Sequence, residues 1–302
     1  MTIRFDNRVA IVTGAGAGLG RAHALLLAER GAKVVVNDLG GAVDGRGGAH
    51  AAADTVVAEI KKRGGTAVAN YDSVATPEGA KRIVKTATDA FGRLDIVVNN
   101  AGILRDKSFG KMDPGDFDAV MQVHLFGSYH VTQAAWPILY QQKYGRVVMT
   151  TSVAGTNGNF GQTNYGAAKM GLLGFMNCLA IEGAKNNVLV NAISPGAITR
   201  MTEALVPAAR ATYMKAEFVA PAVAYLCSED CKVTATIINA SSAGYSRTHY
   251  FETDGVQFDP DKPVTLEMFA EAFPAVTDLK AVEPIALGVF STERRLKKIG
   301  KV

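Results

Sequence analysis

The chain has 302 residues, with 32 Lys and Arg against 28 Asp and Glu, 48% hydrophobic and 20% charged residues. That balance excludes a disordered chain and gives no basis for nucleic-acid binding, while the length suits one large α/β domain. The longest apolar runs are strand-length, far short of the roughly 20 residues of a membrane span, and Met1 to Arg8 lacks a signal-like apolar stretch, so a cytoplasmic protein is expected.

Seven runs are apolar throughout rather than at every second position: Val9 to Val12, Lys33 to Val36, Ala67 to Tyr71, Ile96 to Val98, Gly145 to Thr150, Leu189 to Ile193 and Thr236 to Asn239. Each of the first six is followed by a stretch long enough for a crossover helix. Such alternation predicts a parallel sheet covered on both faces. The expected architecture is a single doubly wound α/β domain of Rossmann type over 1–302, with a core of about 5–245 and an extension of about 246–302.

Between Leu39 and His50, five glycines with Asp44 and Arg46 predict a surface loop inserted after the second strand. Beyond Gly244 the pattern loosens: Tyr245 to Pro263 is polar, Thr265 caps a helical segment running to Phe273, and the end gathers Arg294, Arg295, Lys297, Lys298 and Lys301. These five cations suit a solvated helix end, or an attractor for CoA phosphates. Three cysteines, Cys178, Cys227 and Cys231, fit free thiols in a reducing compartment. Cys227 and Cys231, four apart on an expected helix, read as small buried hydrophobes, and no metal site is expected.

The first strand runs into Thr13-Gly14-Ala15-Gly16-Ala17-Gly18-Leu19-Gly20 and then a helical stretch to Arg30. Glycines at 14, 18 and 20, with Leu19, let the backbone turn sharply and bring helix N–H groups to a pyrophosphate. Asp38, 18 residues after Gly20, ends the second strand, where a carboxylate accepts from ribose hydroxyls and repels a 2′-phosphate; NAD is expected over NADP. Asp72 and Ser73 follow the third strand, Asp72 toward the adenine amino group. Asn99, Ala101 and Gly102 end the fourth along the cofactor edge.

Tyr165 and Lys169 stand four apart, on one face of a helix, and Ser152 precedes Tyr165 by 13 residues at the end of the fifth strand. A phenol of pKa ~10 is a poor base at neutral pH, and a nearby cation lowers it. The glycine turn, Asn99 to Gly102, Ser152, Tyr165 with Lys169, and Asn191 to Gly196 together resemble the short-chain dehydrogenase/reductase family over roughly residues 5 to 245. The resemblance implies that Ser152 positions the substrate oxygen, Tyr165 is the acid/base, and Lys169 orients the cofactor and lowers the phenol pKa. It also implies that Pro195, Gly196, Ile198 and Thr199 lie on the nicotinamide carboxamide. The family's usual proton-relay Asn is replaced by His124, whose imidazole can still hold a water or carry a proton. His23, His50, His130 and His249 show no such spacing.

A narrower resemblance links Val36 to Gly41, Gly102 to Asp106, Val123 to Leu125 and Gly158 to Gln162 to the (3R)-hydroxyacyl-CoA dehydrogenase region of type 2 peroxisomal multifunctional enzymes. It implies NAD-dependent oxidation of a (3R)-hydroxyacyl-CoA to a 3-oxoacyl-CoA. A steroid, another secondary alcohol or a carrier-protein thioester is the alternative substrate, and an NAD-responsive binding protein the alternative class. Family members pair through helices at about 115 to 140 and 163 to 183, which implies a homodimer or homotetramer with Trp136 and Phe175 as contact candidates.

Overall fold

The computed structural model describes residues 2–47, 51–198, 212–289 and 291–300. Seven strands fall where the apolar runs predict them: β1 (Val9–Thr13), β2 (Lys33–Asn37), β3 (Thr66–Asn70), β4 (Ile96–Asn99), β5 (Gly145–Thr150), β6 (Val188–Gly196) and β7 (Ile237–Ser241). They form one sheet in the order β3-β2-β1-β4-β5-β6-β7, extended at the β7 edge by β8 (Gly244–Thr248). The six pairings from β3 through β7 are parallel, with Ile11 opposite both Val35 and Val97. Strands covered on both faces are mostly apolar, and β1 and β5 are buried along their whole lengths, Arg146 near the start of β5 being the charged exception. β8 escapes this pattern because its residues are mostly exposed, and it follows β7 across a two-residue turn in which Ser242 and Ala243 both adopt positive φ.

The crossover helices are α1 (Gly18–Glu29), α2 (Ala51–Lys62), α3 (Pro77–Phe91), α4 (Pro114–Met121), α5 (Gly127–Gln142) and α7 (Thr163–Gly183), with a short α6 (Val153–Thr156) and a later α8 (Ala220–Cys227). α3 shows why these segments start and stop where they do. Thr76 caps it by accepting from Gly79 N, Pro77 fits its first turn, and Gly92 ends it in the left-handed region. α4 and α5 are joined by a π turn, Gln122–Phe126, which carries His124. Cys227 closes α8, whereas Cys231 lies beyond it, correcting the expectation that both sit on one helix; both thiols are fully buried.

Strand order reverses between β1 and β4, whose successors lead away on opposite sides, and the C-terminal ends of the strands diverge there into a crevice. The opposite, N-terminal ends are closed by a polar cluster. Asp95, wholly buried, accepts from Arg8, Arg93 and the Val9 amide at 2.7–3.0 Å. The Tyr144 ring stacks against the Arg8 and Arg146 guanidinium groups, 3.7 and 4.4 Å from its centroid. Arg146, also buried, donates to the carbonyls of Ser228, Gly145 and Asn187.

Contacts divide the chain into two compact units, Met1–Arg247 and Thr248–Val302. In the second, β9 (Phe251–Thr253) pairs antiparallel with β10 (Val282–Pro284), and α9 (Leu266–Val276) is capped by Thr265, as its sequence predicts. The terminal helix α10 (Ser291–Lys298) holds this unit together: Arg294 pairs with Glu252 and Glu283 at 3.0 Å, Arg295 with Glu252 at 3.6 Å, and Lys298 with Asp254. Three of the five tail cations are thus engaged inside their own unit. Among the described residues no helix is long and apolar enough to cross a membrane.

Candidate active site

The crevice is a cleft of about 430 Å³, inside the range of small-molecule sites, lined from the glycine turn, the ends of β2 to β6, the π turn and α7. Gly14, Gly18 and Leu19 line its first wall, and Gly20 is buried against the Gly14 carbonyl. Gly14 sits at φ +62°, and a Cβ there would stand 2.8 Å from the Ala101 Cα, so only glycine lets β1 and β4 close up at this point. Ala17, which precedes α1, supplies no side-chain cap, so the first N–H groups of the helix stay available for an anion.

Asp38 is held rigidly. One carboxylate oxygen accepts from Gly16 N and the other from Gly40 N, both at 2.7 Å, and each retains a lone pair for a hydroxyl. Asp72 and Ser73 also line the cleft. The Asp72 carboxylate accepts from Arg82 at 2.5 Å and Asn70 at 2.9 Å, while its carbonyl accepts from Asn37. Ala101 and Gly102 face the cleft, but Asn99 does not. Its side chain is 3% exposed and donates to Thr132 Oγ1 at 2.9 Å, because strand alternation turns it toward α5 and away from the crevice. The neighbouring Asn100 does the joining, donating to the carbonyls of Thr13 and Gly14 at 2.9 and 3.1 Å. Pro195 and Gly196 line the far end; Ile198 is half-buried outside the lining, its amide on Met214 O, and Thr199 lies outside the described residues.

The glycine-rich stretch after β2 is the expected surface loop, with Ala42, Arg46 and Gly47 exposed, and it also forms a wall of the cleft. Leu39, Gly41, Ala42, Val43 and Gly45 line it. Composition registers the flexibility of such a segment but not the tertiary hydrogen bonds that fix it.

Ser152, Tyr165 and Lys169 meet on the opposite side. Ser152 caps α6, which packs so closely on α7 that a Cβ at Gly155 would stand 2.9 Å from the Met170 amide. This closes the 13-residue gap and sets the Ser152 hydroxyl beside the Tyr165 phenol, whose pKa it draws downward. Asn164, fully buried, fixes the start of α7: its Oδ1 accepts from Tyr165 N at 2.7 Å and its Nδ2 donates to Arg105 O at 3.1 Å. Lys169, 3% exposed, donates to Thr150 O at 2.5 Å, with its Nζ 5.3 Å from the Tyr165 ring centroid.

The electrostatics differ from the expectation of a lowered phenol. Burial raises the Tyr165 pKa above its ordinary value; Ser152 opposes that and Asp106 reinforces it. Burial also pushes the Lys169 ammonium down to about 7, so near neutrality it carries only part of a charge. The phenol's burial is the largest cause of its raised pKa.

His124 is 2% exposed, its ring edge-on to Tyr165 at 5.1 Å between centroids. Nε2 lies 3.0 Å from Ile103 N and 2.8 Å from Ile103 O, while Nδ1 is buried without a partner in the protein. Burial, then the Lys169 charge, hold its pKa well below the histidine norm against an upward pull from the Ile103 backbone, so the ring is neutral. Thr150 Oγ1 is likewise buried and unpartnered on the cleft wall. Thr13, Asn100, Thr150 and Asn164 are residues of this site that spacing does not single out; Asn100 and Thr13 lie inside the recognised motifs, while Asn164 adjoins Tyr165 without any periodic signal.

Residues 8–210 match the family model for short chain dehydrogenase. A Mycobacterium tuberculosis protein named as a short-chain type dehydrogenase/reductase is 54% identical over 278 residues, 92% of this chain and 96% of that protein. Peroxisomal multifunctional enzyme type 2 of Drosophila melanogaster is 53% identical over 279 residues, 92% of this chain and 46% of that protein. Its full-length structure superposes with a TM-score of 0.82 and 42% identity, covering 99% of this chain and 50% of the other. The chain therefore spans about half the length of that relative. A 7α-hydroxysteroid dehydrogenase complexed with NADH and 7-oxo glycochenodeoxycholic acid superposes with a TM-score of 0.72 at 29% identity, over 80% of this chain and 96% of that one.

Proposed function

The chain belongs to the short-chain dehydrogenase family, an oxidoreductase family acting on CH–OH groups through a nicotinamide cofactor, and from that premise we propose that it oxidises a (3R)-hydroxyacyl-CoA to the 3-oxoacyl-CoA with NAD. The observation that carries the reading is the convergence of Ser152, Tyr165 and Lys169 on one cleft with the glycine turn and Asp38. The thioester follows from the segments resembling the type 2 multifunctional enzymes.

The cofactor fits the residues present. The uncapped start of α1 suits a pyrophosphate, and the fixed Asp38 carboxylate suits two ribose hydroxyls but not a 2′-phosphate. When bound, the nicotinamide supplies the acceptor for the hydride that leaves carbon 3. Ser152 donates to the substrate oxygen and holds it beside Tyr165, which takes the hydroxyl proton. Lys169 holds the cofactor ribose and passes the proton onward. His124, neutral and with Nδ1 free, holds a water in that relay where the family has an amide.

Initial rates of NADH formation from each enantiomer of a medium-chain 3-hydroxyacyl-CoA, with NADP in parallel, test this. Turnover of the (3R) form with NAD preferred is expected. Binding of NAD without turnover of either enantiomer would overturn the thioester and favour a steroid alcohol, the substrate class named in the 7α-hydroxysteroid dehydrogenase complex.

The assembly we propose is a homodimer or homotetramer through α5 and α7. Tyr129, Tyr140, Met170 and Ile181 are exposed there, and Tyr129 and Phe175 are in edge contact at 6.1 Å. Sedimentation of a monomer at micromolar concentration would refute it.

A further inference from the structure

We infer that Arg105 is a positioning residue that fastens the glycine-rich insert 40–47 over the adenosine side of the cleft, so that nucleotide affinity depends on a side chain outside the cleft lining. The inference rests on the dinucleotide reading of the cleft and adds to it a role for one residue of the Gly102 to Asp106 segment.

The insert leaves β2 two residues after Asp38, the ribose acceptor, and lines the cleft with Gly41, Ala42, Val43 and Gly45. Internally it is closed by a small turn, with Ala42 N on Arg46 O at 2.8 Å and Gly45 N on Ala42 O at 2.9 Å. Among the described residues, its hydrogen bonds to the domain beyond Asp38 end on two adjacent positions. Leu104 N donates to Val43 O at 3.0 Å, and Arg105 Nε donates to Asp44 O at 2.9 Å. Gly45 rests on Ile103, where a Cβ would stand 3.0 Å from Cγ2.

The same guanidinium reaches Asp116 on α4 at 3.3 Å, and the Arg105 carbonyl receives the Asn164 side chain that seats Tyr165. One residue thus ties the insert, α4 and the catalytic turn together, with its side chain 21% exposed and no place in the cleft lining. A segment with glycines at 40, 41, 45 and 47 gives up more conformational freedom on closing than an ordinary loop. With so few bonds holding it, loss of one charge-assisted hydrogen bond shifts it toward open forms. Lysine cannot replace the fork that reaches Asp44 and Asp116 together. Asp116 keeps Lys107 at 2.9 Å when Arg105 is removed, which spares α4.

The test compares the full chain with Arg105→Met, Arg105→Lys and Gly45→Val, by titration with NADH and with ADP-ribose, alongside steady-state kinetics. Arg105→Met should weaken both ligands about tenfold, the expected loss for a hydrogen bond from a charged group, while kcat at saturating NAD changes less than twofold. Arg105→Lys should recover part of the affinity, and Gly45→Val, which lifts the insert from the Ile103 side, should reproduce the loss. Deuterium uptake at 40–47 in the NADH complex should quicken in Arg105→Met. Wild-type NADH affinity in Arg105→Met, whatever Gly45→Val does, or a fall in kcat with NADH affinity unchanged, overturns the inference. A wild-type chain that binds no NADH overturns the dinucleotide reading itself.

Discussion

The two ends of the sheet treat buried polarity in opposite ways. At the N-terminal ends of the strands, Asp95 and Arg146 are buried and hydrogen-bonded within the protein, while Tyr144, stacked on two guanidinium groups, leaves its hydroxyl buried without a partner. At the C-terminal ends, His124 Nδ1, Thr150 Oγ1 and Ser194 Oγ are buried and unpartnered. Internal satisfaction makes the first end a fastening. The second end leaves donors and acceptors for something else, as a binding site must. Buried charge alone therefore does not mark the site, nor does a single orphaned group such as Tyr144 Oη; several such groups gathered at the C-terminal ends of the strands do.

The largest expected effect lies at the incomplete end. Tyr165→Phe should lower turnover by about a thousandfold or more, the scale of lost acid/base catalysis, with NADH affinity near normal by titration. Because burial raises the phenol pKa, the wild-type oxidation rate should climb with pH through the alkaline range, as the phenolate fraction grows. A rate independent of pH from 7 to 10 would break the assignment.

At the satisfied end the consequence should appear in stability instead. Asp95→Ala strands Arg8, Arg93 and the Val9 amide and should cost about 3 kcal/mol in urea unfolding, with the folded enzyme's kcat within threefold. A large fall in kcat without loss of stability would erase the contrast. Asp38→Ala should weaken NADH about ten- to a hundredfold in titration and narrow the preference for NAD over NADP.

The smallest effect belongs to His23, which shares the orphaned state without lining the cleft. It is buried on α1 with both ring nitrogens unpartnered, and burial lowers its pKa to about 3. The unfolded chain binds a proton near pH 6.5 that the folded chain refuses, so stability falls as pH drops from about 6.5 toward 3. His23→Leu should remove part of that fall, roughly 1.6 kcal/mol between pH 6.5 and 5, read from thermal melts. An unchanged pH dependence would show that the ring finds a partner in solution.

Legibility follows the same division. Predominantly apolar strands such as β1 and β4 are plain in the sequence because a two-sided sheet demands them, and the order of glycine turn, Ser152, Tyr165 and Lys169 survives as motif. β8 is invisible because its residues are exposed and carry no apolar pattern. The inward turn of Asn99 depends on strand alternation counted from a core not yet known, so its motif membership does not reveal its direction. The insert at 40–47 announces flexibility through its glycines, while its anchorage lies in Leu104 and Arg105, some sixty positions away. Local composition carries local preference; long-range anchorage has no local signature.

One contact also constrains how such a site can change. A Cβ at Gly102 would stand 2.2 Å from His124 Cε1, so an alanine at 102 and a histidine at 124 exclude one another. A mutational route that installs histidine at 124 must already hold glycine at 102, and a route that leaves glycine must first surrender the ring. The two positions form a ratchet in which the order of steps matters, and their joint effect should depart from the sum of the single changes.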